Sequence, residues 1–115
     1  IRLGKDAAAL VKGKKVLWTT GKILSDQSVL VPYAARMPLE SNEKYHWQVR
    51  VWDNQGNTSA WSAPASFQMA LLKPEDWKAQ WIEPGFVEDS TRPSPIFRKV
   101  FTINKKIAAA TAHIT

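Results

Sequence analysis

From Glu43 to Asp53 the side chains alternate without a break: Tyr45, Trp47, Val49 and Val51 fall on one side of an extended chain, and His46, Gln48, Arg50 and Trp52 on the other. A helix cannot use that pattern, because its apolar positions recur every three or four residues rather than every two. A strand can, and only in one register, since a slip of one residue would move the whole apolar row to the opposite face. The cluster Asp53-Asn54-Gln55-Gly56-Asn57 is built from turn-forming residues, and Ala60 to Met69 then returns as the second arm of a hairpin. One long half-buried hairpin therefore anchors the reading, and the remainder of the chain must supply what it packs against.

Upstream, Arg2-Leu3-Gly4 reads as the end of a strand, and Asp6 is a suitable N-cap for a short helix over Ala7–Lys12 that Gly13 would close in the left-handed conformation. Lys15–Thr20 is β-branched and aromatic and reads as a strand, followed by short extended pieces at Gly21–Leu24 and Ser28–Tyr33. Pro32 would confine the second of these to a sheet edge. Downstream, Pro74 suits the first position of a helical turn, with Glu75 and Asp76 at its positive end. Trp77–Ile82 reads as extended and Glu83–Pro95 as a loop, and two further strands are expected at Ile96–Ile103 and Ala108–Thr115. Short strands separated by turn signals predict an all-β, antiparallel sandwich. Because Ile1 reads as lying inside a strand, the natural N-terminus is expected elsewhere, and targeting information is missing rather than negative.

Composition narrows the function classes. The hydrophobic fraction of 44% and the six tryptophans are enough for a core, unlike the composition of disordered chains. Cysteine is absent, which removes disulfides, thiol catalysis and most zinc sites. No apolar run approaches the roughly 20 residues of a membrane span, so no membrane partner is expected. The net charge of +6 is spread from Arg2 to Lys106, whereas a nucleic-acid footprint gathers on one face; it reads as solvated surface.

Leu39 and Tyr45 are spaced as in the tyrosine corner of fibronectin type III-like (immunoglobulin-like) sandwiches, where the phenol bonds back to the preceding loop. Thr58-Ser59-Ala60-Trp61-Ser62 is close to the Trp-Ser box of such domains. A longer series follows in order: Leu17–Lys22, Asp26-Gln27-Ser28, Val31-Pro32-Tyr33, Tyr45–Asp53, Ser59–Ser62, Asp76-Trp77-Lys78-Ala79-Gln80-Trp81-Ile82, and Ser94–Phe101. Together these resemble the N-terminal region of bacterial α-L-rhamnosidases, and the resemblance covers nearly the whole chain. It implies a fibronectin III-like domain over residues 1–70 whose first strands are missing, a linker over 71–94 with a helical turn and an extended segment, and the opening strands of a second, incomplete β-sandwich over 95–115. It also implies a parent enzyme that removes terminal α-L-rhamnose with inversion, using acidic residues of a helical barrel far downstream. Nothing here corresponds to that barrel, so no catalytic residue is carried over. Open sheet edges would invite pairing with another chain, and a strand-exchanged homodimer is one expectation. A periplasmic or secreted location follows only from the type of substrate.

The side chains that could carry chemistry are few. An inverting glycosidase needs two carboxylates ~6.5–9.5 Å apart. Glu75, Asp76, Glu83, Glu88 and Asp89 are the carboxylates to weigh, and helix-start and loop roles account for them. His46 and His113 are the only histidines and are far apart in sequence, so no metal site and no cofactor are expected. Trp18 and Trp47 read as core. Trp52 and Trp61, with Arg50 beside them, read either as an Arg–Trp stack on the sheet exterior or as a platform for rhamnose-containing carbohydrate. Trp77 and Trp81 bracket the junction and read as anchors against the downstream domains. The expected function is a non-catalytic accessory segment that braces those domains; a carbohydrate-binding module and a generic fibronectin III-like protein-interaction domain are the alternatives.

Overall fold

The computed structural model describes residues 1–86 and 94–114. The chain separates into two compact units, Ile1–Ala79 and Gln80–Thr115. The first contains a four-stranded antiparallel sheet in the order β2-β1-β3-β4, formed by β1 (Arg2–Gly4), β2 (Trp18–Thr19), β3 (Lys44–Gln48) and β4 (Ala65–Gln68), with one helix, α1 (Ala7–Val11), and a 3-10 turn at Pro74–Asp76. The fold is all-β, as the alternation at Tyr45–Trp52 requires, and the described residues form one sheet.

The register follows from that alternation. Leu3 lies opposite both Trp18 and Trp47, and Tyr45 lies opposite Phe67, so these side chains share one face. Arg2 lies opposite Gln48 and Gly4 opposite His46, which places them on the other. The first face holds the buried Leu3 and Tyr45, with Phe67 stacked on Tyr45 at a ring separation of 5.7 Å. Trp18 and Trp47, expected in the core, are half-buried instead. Trp18 meets Tyr33 edge-on with ring centroids 5.0 Å apart.

Helix α1 explains why the second face is not the simple solvated surface that its polar row suggested. Asp6 accepts a hydrogen bond from Ala9 N at 3.0 Å as N-cap, and that bond holds its carboxyl below the usual range. The helix ends in a Schellman closure: Lys14 N donates to Ala9 O and Gly13 N to Leu10 O, both at 2.8 Å, with Gly13 at φ +68°. Leu10, fully buried, then lies over Gly4, where a Cβ would come within 3.4 Å of Leu10 Cδ1 and 3.0 Å of Lys15 O. Beside it Arg2 and Gln48 are 8% and 3% exposed. The Arg2 Nε and Nη2 donate to Gln48 Oε1 at 3.1 and 2.8 Å, and Nη2 donates to Val11 O at 3.3 Å. Gln48 Nε2 completes the chain by donating to Ser62 O at 2.5 Å. A polar cluster is tolerated here because its members bond one another.

Regular pairing of β3 stops at Gln48, several residues before the alternation does, and the Ser59–Ser62 segment shows why. Val49 N donates to Ser62 Oγ at 3.1 Å and Val51 N to Ser59 Oγ at 3.0 Å. In return Ser62 N donates to Val49 O at 2.9 Å and Ser59 N to Val51 O at 3.0 Å. Two hydroxyls thus take the place of ladder carbonyls, and a single bridge between Trp52 and Thr58 closes the hairpin. At its tip Asp53 accepts from the backbone of Gln55 and Asn57 and from Asn57 Nδ2, which lowers its carboxyl pKa, the Asn57 side chain contributing most.

The extended pieces expected at Gly21–Leu24 and Ser28–Tyr33 form no strand. Residues 21–32 are exposed throughout, and Leu30 sits at φ +55°, outside the β region. Similarly, the described residues 94–114 of the second unit carry no strand, in place of the two expected at Ile96–Ile103 and Ala108–Thr115. In both stretches β-branched residues are present but no neighbouring strand supplies hydrogen bonds, and strand propensity without a partner does not make a strand.

Candidate functional site

Continuing along the row of β3 that carries His46 and Gln48, the next two residues are Arg50 and Trp52. The bridge to Thr58 brings the chain back so that Trp61 lies beside them. The Arg50 Cζ is 4.9 Å from the ring centroid of Trp52 and 4.7 Å from that of Trp61. Arg2 approaches Trp61 to 4.0 Å and Lys22 Nζ approaches Trp52 to 5.4 Å. Read by these distances, the side chains alternate as Arg2, Trp61, Arg50, Trp52, Lys22. Each cation–ring contact contributes about 0.5–2 kcal/mol according to its desolvation. Both indoles are half-buried.

The electrostatics of this ladder are one-sided. Among the described residues the ion pairs are Lys5–Glu40 at 2.6 Å and Lys5–Glu43 at 3.1 Å, so no carboxylate pairs with Arg2, Lys22 or Arg50. Arg2 has its acceptors in Gln48 and Val11. Arg50 has none among the described residues: its Nε is buried there without a hydrogen-bond partner. Burial, and secondarily the charge of Arg50, hold the Ile1 ammonium below its ordinary pKa. Such an array can receive an anion.

The weighed carboxylates fall on different segments of the chain. Asp76 accepts a short hydrogen bond from Ser41 Oγ, and Glu75 sits beside it in the 3-10 turn. Glu83 is exposed in the second unit, and Glu88 and Asp89 lie outside the described residues. His46 belongs to β3 and His113 to the second unit. The described residues contain no group of three His, Cys, Asp or Glu able to hold a metal ion.

Trp77 closes the 3-10 turn, donating its backbone N–H to Pro74 O at 3.1 Å, and is 37% exposed. The turn is tied to the domain by Ser41, whose hydroxyl donates to Asp76 and accepts from Leu72 N at 2.8 Å. Trp81, in the second unit, is 89% exposed. Arg50, Trp52 and Trp61 were legible as a group from the strand period and the Trp-Ser spacing. Arg2 and Lys22 were not: the first enters through the register of β1 against β3, and the second comes from an irregular stretch with no local signal.

Comparison with known proteins supplies a context for this arrangement. Residues 1–73 match the family model described as the Rha78A-like, N-terminal immunoglobulin domain. The α-L-rhamnosidase of Streptomyces avermitilis is 44% identical over 82 residues, covering 71% of this chain and 8% of that protein. An α-L-rhamnosidase of Formosa agariphila is 37% identical over 107 residues, covering 86% of this chain and 11% of that protein. The crystal structure of the Streptomyces enzyme complexed with L-rhamnose superposes with a TM-score of 0.63 at 45% identity, over 71% of this chain and 8% of that one. The enzyme from Dictyoglumus thermophilum gives the same TM-score at 31% identity, over 71% of this chain and 9% of that one. The chain therefore spans about a tenth of the length of the relatives it matches.

Proposed function

The chain belongs to the Rha78A-like N-terminal immunoglobulin domain family, and on that premise we propose that it serves as a non-catalytic accessory segment of an α-L-rhamnosidase, a glycoside hydrolase, bracing the domains that follow it. The observation that carries this reading is the clasp between Ser41 and the Leu72–Asp76 segment. A domain that only tethered its neighbours would leave by a free linker. Here the exit segment is bonded to the loop preceding β3 and delivers an aromatic side chain, Trp77, at its end. Indoles are common anchors of protein interfaces, and Trp77 and the largely exposed Trp81 supply two.

Hydrogen exchange tests the reading. Amides of residues 72–82 should exchange more slowly in the longer rhamnosidase polypeptide than in the 115-residue chain, because docking shields them. Equal exchange in both would mean that this segment braces nothing.

A further inference from the structure

Arg50 holds an unusual position for a residue on an accessory domain. Its guanidinium lies 4.9 and 4.7 Å from the centroids of two indoles, so the planar cation is flanked by aromatic surface. Its Nε is cut off from water with no acceptor. Nη1 and Nη2 are outside that buried set and donate to no carboxylate or carbonyl among the described residues. Donors with polar partners missing in a partly desolvated setting are the ones a ligand can engage strongly. Arg2 and Lys22 add positive charge at the two ends of the ladder and likewise pair with no carboxylate among the described residues. Each indole is already in contact with two cations. What remains is the outer edge of a guanidinium fork, whose two parallel N–H donors match a planar carboxylate.

We propose that the Arg50 edge, flanked by Trp52 and Trp61, is a subsite for a carboxylate carried by a uronic-acid residue of an acidic saccharide. This deepens the reading of the chain as part of a carbohydrate-processing enzyme and rests on it; within that setting a charged sugar is the carboxylate source that the ladder suits. Binding places both carboxylate oxygens on Nη1 and Nη2, with Lys22 adding long-range attraction. No bond is made or broken. L-Rhamnose, which bears no charge, can offer this edge only neutral hydroxyl acceptors.

The test titrates the 115-residue chain with trigalacturonic acid, following tryptophan fluorescence and calorimetric heat. Neutral galactotriose, L-rhamnose, sodium sulfate and a short Glu-rich peptide are titrated in parallel. The expected result is saturable binding of the uronate alone, weakened by added salt and reduced roughly tenfold or more in Arg50→Met, which keeps an apolar stem between the indoles but loses the charge-assisted pair. Arg50→Lys keeps the charge without the fork and should recover only part of the affinity; its circular dichroism and that of Arg50→Met must match the parent chain. If Arg50→Met does not fold, the loss in Arg50→Lys decides. Absence of uronate binding, uronate affinity unchanged by both variants, or an equal response to sulfate or to the Glu-rich peptide would overturn the proposal. None of these outcomes touches the bracing role, which is read from amide exchange at residues 72–82.

Discussion

The phenolic oxygen of Tyr45 accepts a hydrogen bond from the backbone N–H of Glu40 at 2.9 Å. Tyr45 is 2% exposed, so the bond pins the loop before β3 to the strand from the buried side. The same loop carries Ser41, which holds the 3-10 turn, and Glu40 and Glu43, which flank Lys5 and raise its pKa through those hydrogen bonds. One phenol thus organises the region from which the chain leaves the domain.

Removing only that hydroxyl should be measurable. Tyr45→Phe keeps the ring against Phe67 but strands the Glu40 N–H in a part-buried site. Loss of stability by about 1–3 kcal/mol is expected, since an unsatisfied donor forfeits its bond and its hydration. Urea unfolding should show a lower midpoint with an unchanged slope.

Gly4 is required by close approach rather than by backbone angle. Gly4→Ala would put a Cβ 3.0 Å from Lys15 O and 3.4 Å from Leu10 Cδ1, so the backbone at Lys15 would have to give by a few tenths of an ångström. A destabilisation of about 1–3 kcal/mol follows from overpacking, and Leu10→Ala at the same contact should lose about 2–5 kcal/mol. Thermal melts of the two variants measured side by side check both values.

The two serines of the Trp-Ser box should differ. Ser62 Oγ accepts from Val49 N in a part-buried site, and Ser59 Oγ accepts from Val51 N in an exposed one. Water can replace the hydroxyl at Ser59 more readily than at Ser62. Ser62→Ala is expected to destabilise by about 1–2 kcal/mol and Ser59→Ala by less than about 1 kcal/mol. Amide exchange at Val49 and Val51 reports each loss directly.

Much of this was legible beforehand, for definite reasons. The Asp6 cap, the Gly13 closure and the Tyr45 bond are local, set by residues within a few positions of one another. The strand at Tyr45 announced its two faces by alternation. Alternation does not say which face is covered, however, and the row carrying Gln48 proved partly interior because α1 and Arg2 cover it. Arg2 meets Gln48 through the pairing of β1 with β3, a long-range choice with no local signature. The same reason undid the expected strands at Ser28–Tyr33 and Ile96–Ile103: their composition suits a sheet, but a strand exists only where an edge receives it. In the Arg50 ladder, Trp52 and Trp61 could be named from spacing, whereas Lys22 depends on the path of an irregular segment.

Acid should weaken the domain through two carboxylates. Asp6 and Asp53 have folded-state pKa values below their ordinary ones, through the Ala9 backbone bond and the Asn57 side chain respectively. Depressed folded values mean that their contribution is full above the unfolded pKa, near 3.9, and is lost as pH falls through the folded values. Melting temperature should therefore drop below about pH 4, and less steeply in the Asp6→Asn, Asp53→Asn double variant, whose caps no longer titrate.

The measurement that bears most directly on the bracing role is a thermal melt of the longer α-L-rhamnosidase polypeptide carrying Trp77→Ala and Trp81→Ala, paired with its rate of α-L-rhamnoside hydrolysis well below the melt. The predicted result is a lowered melting temperature with kcat unchanged, the outcome that the proposed bracing role of the two indoles requires. An unchanged melting temperature, or a loss of kcat in the fully folded enzyme, would contradict it.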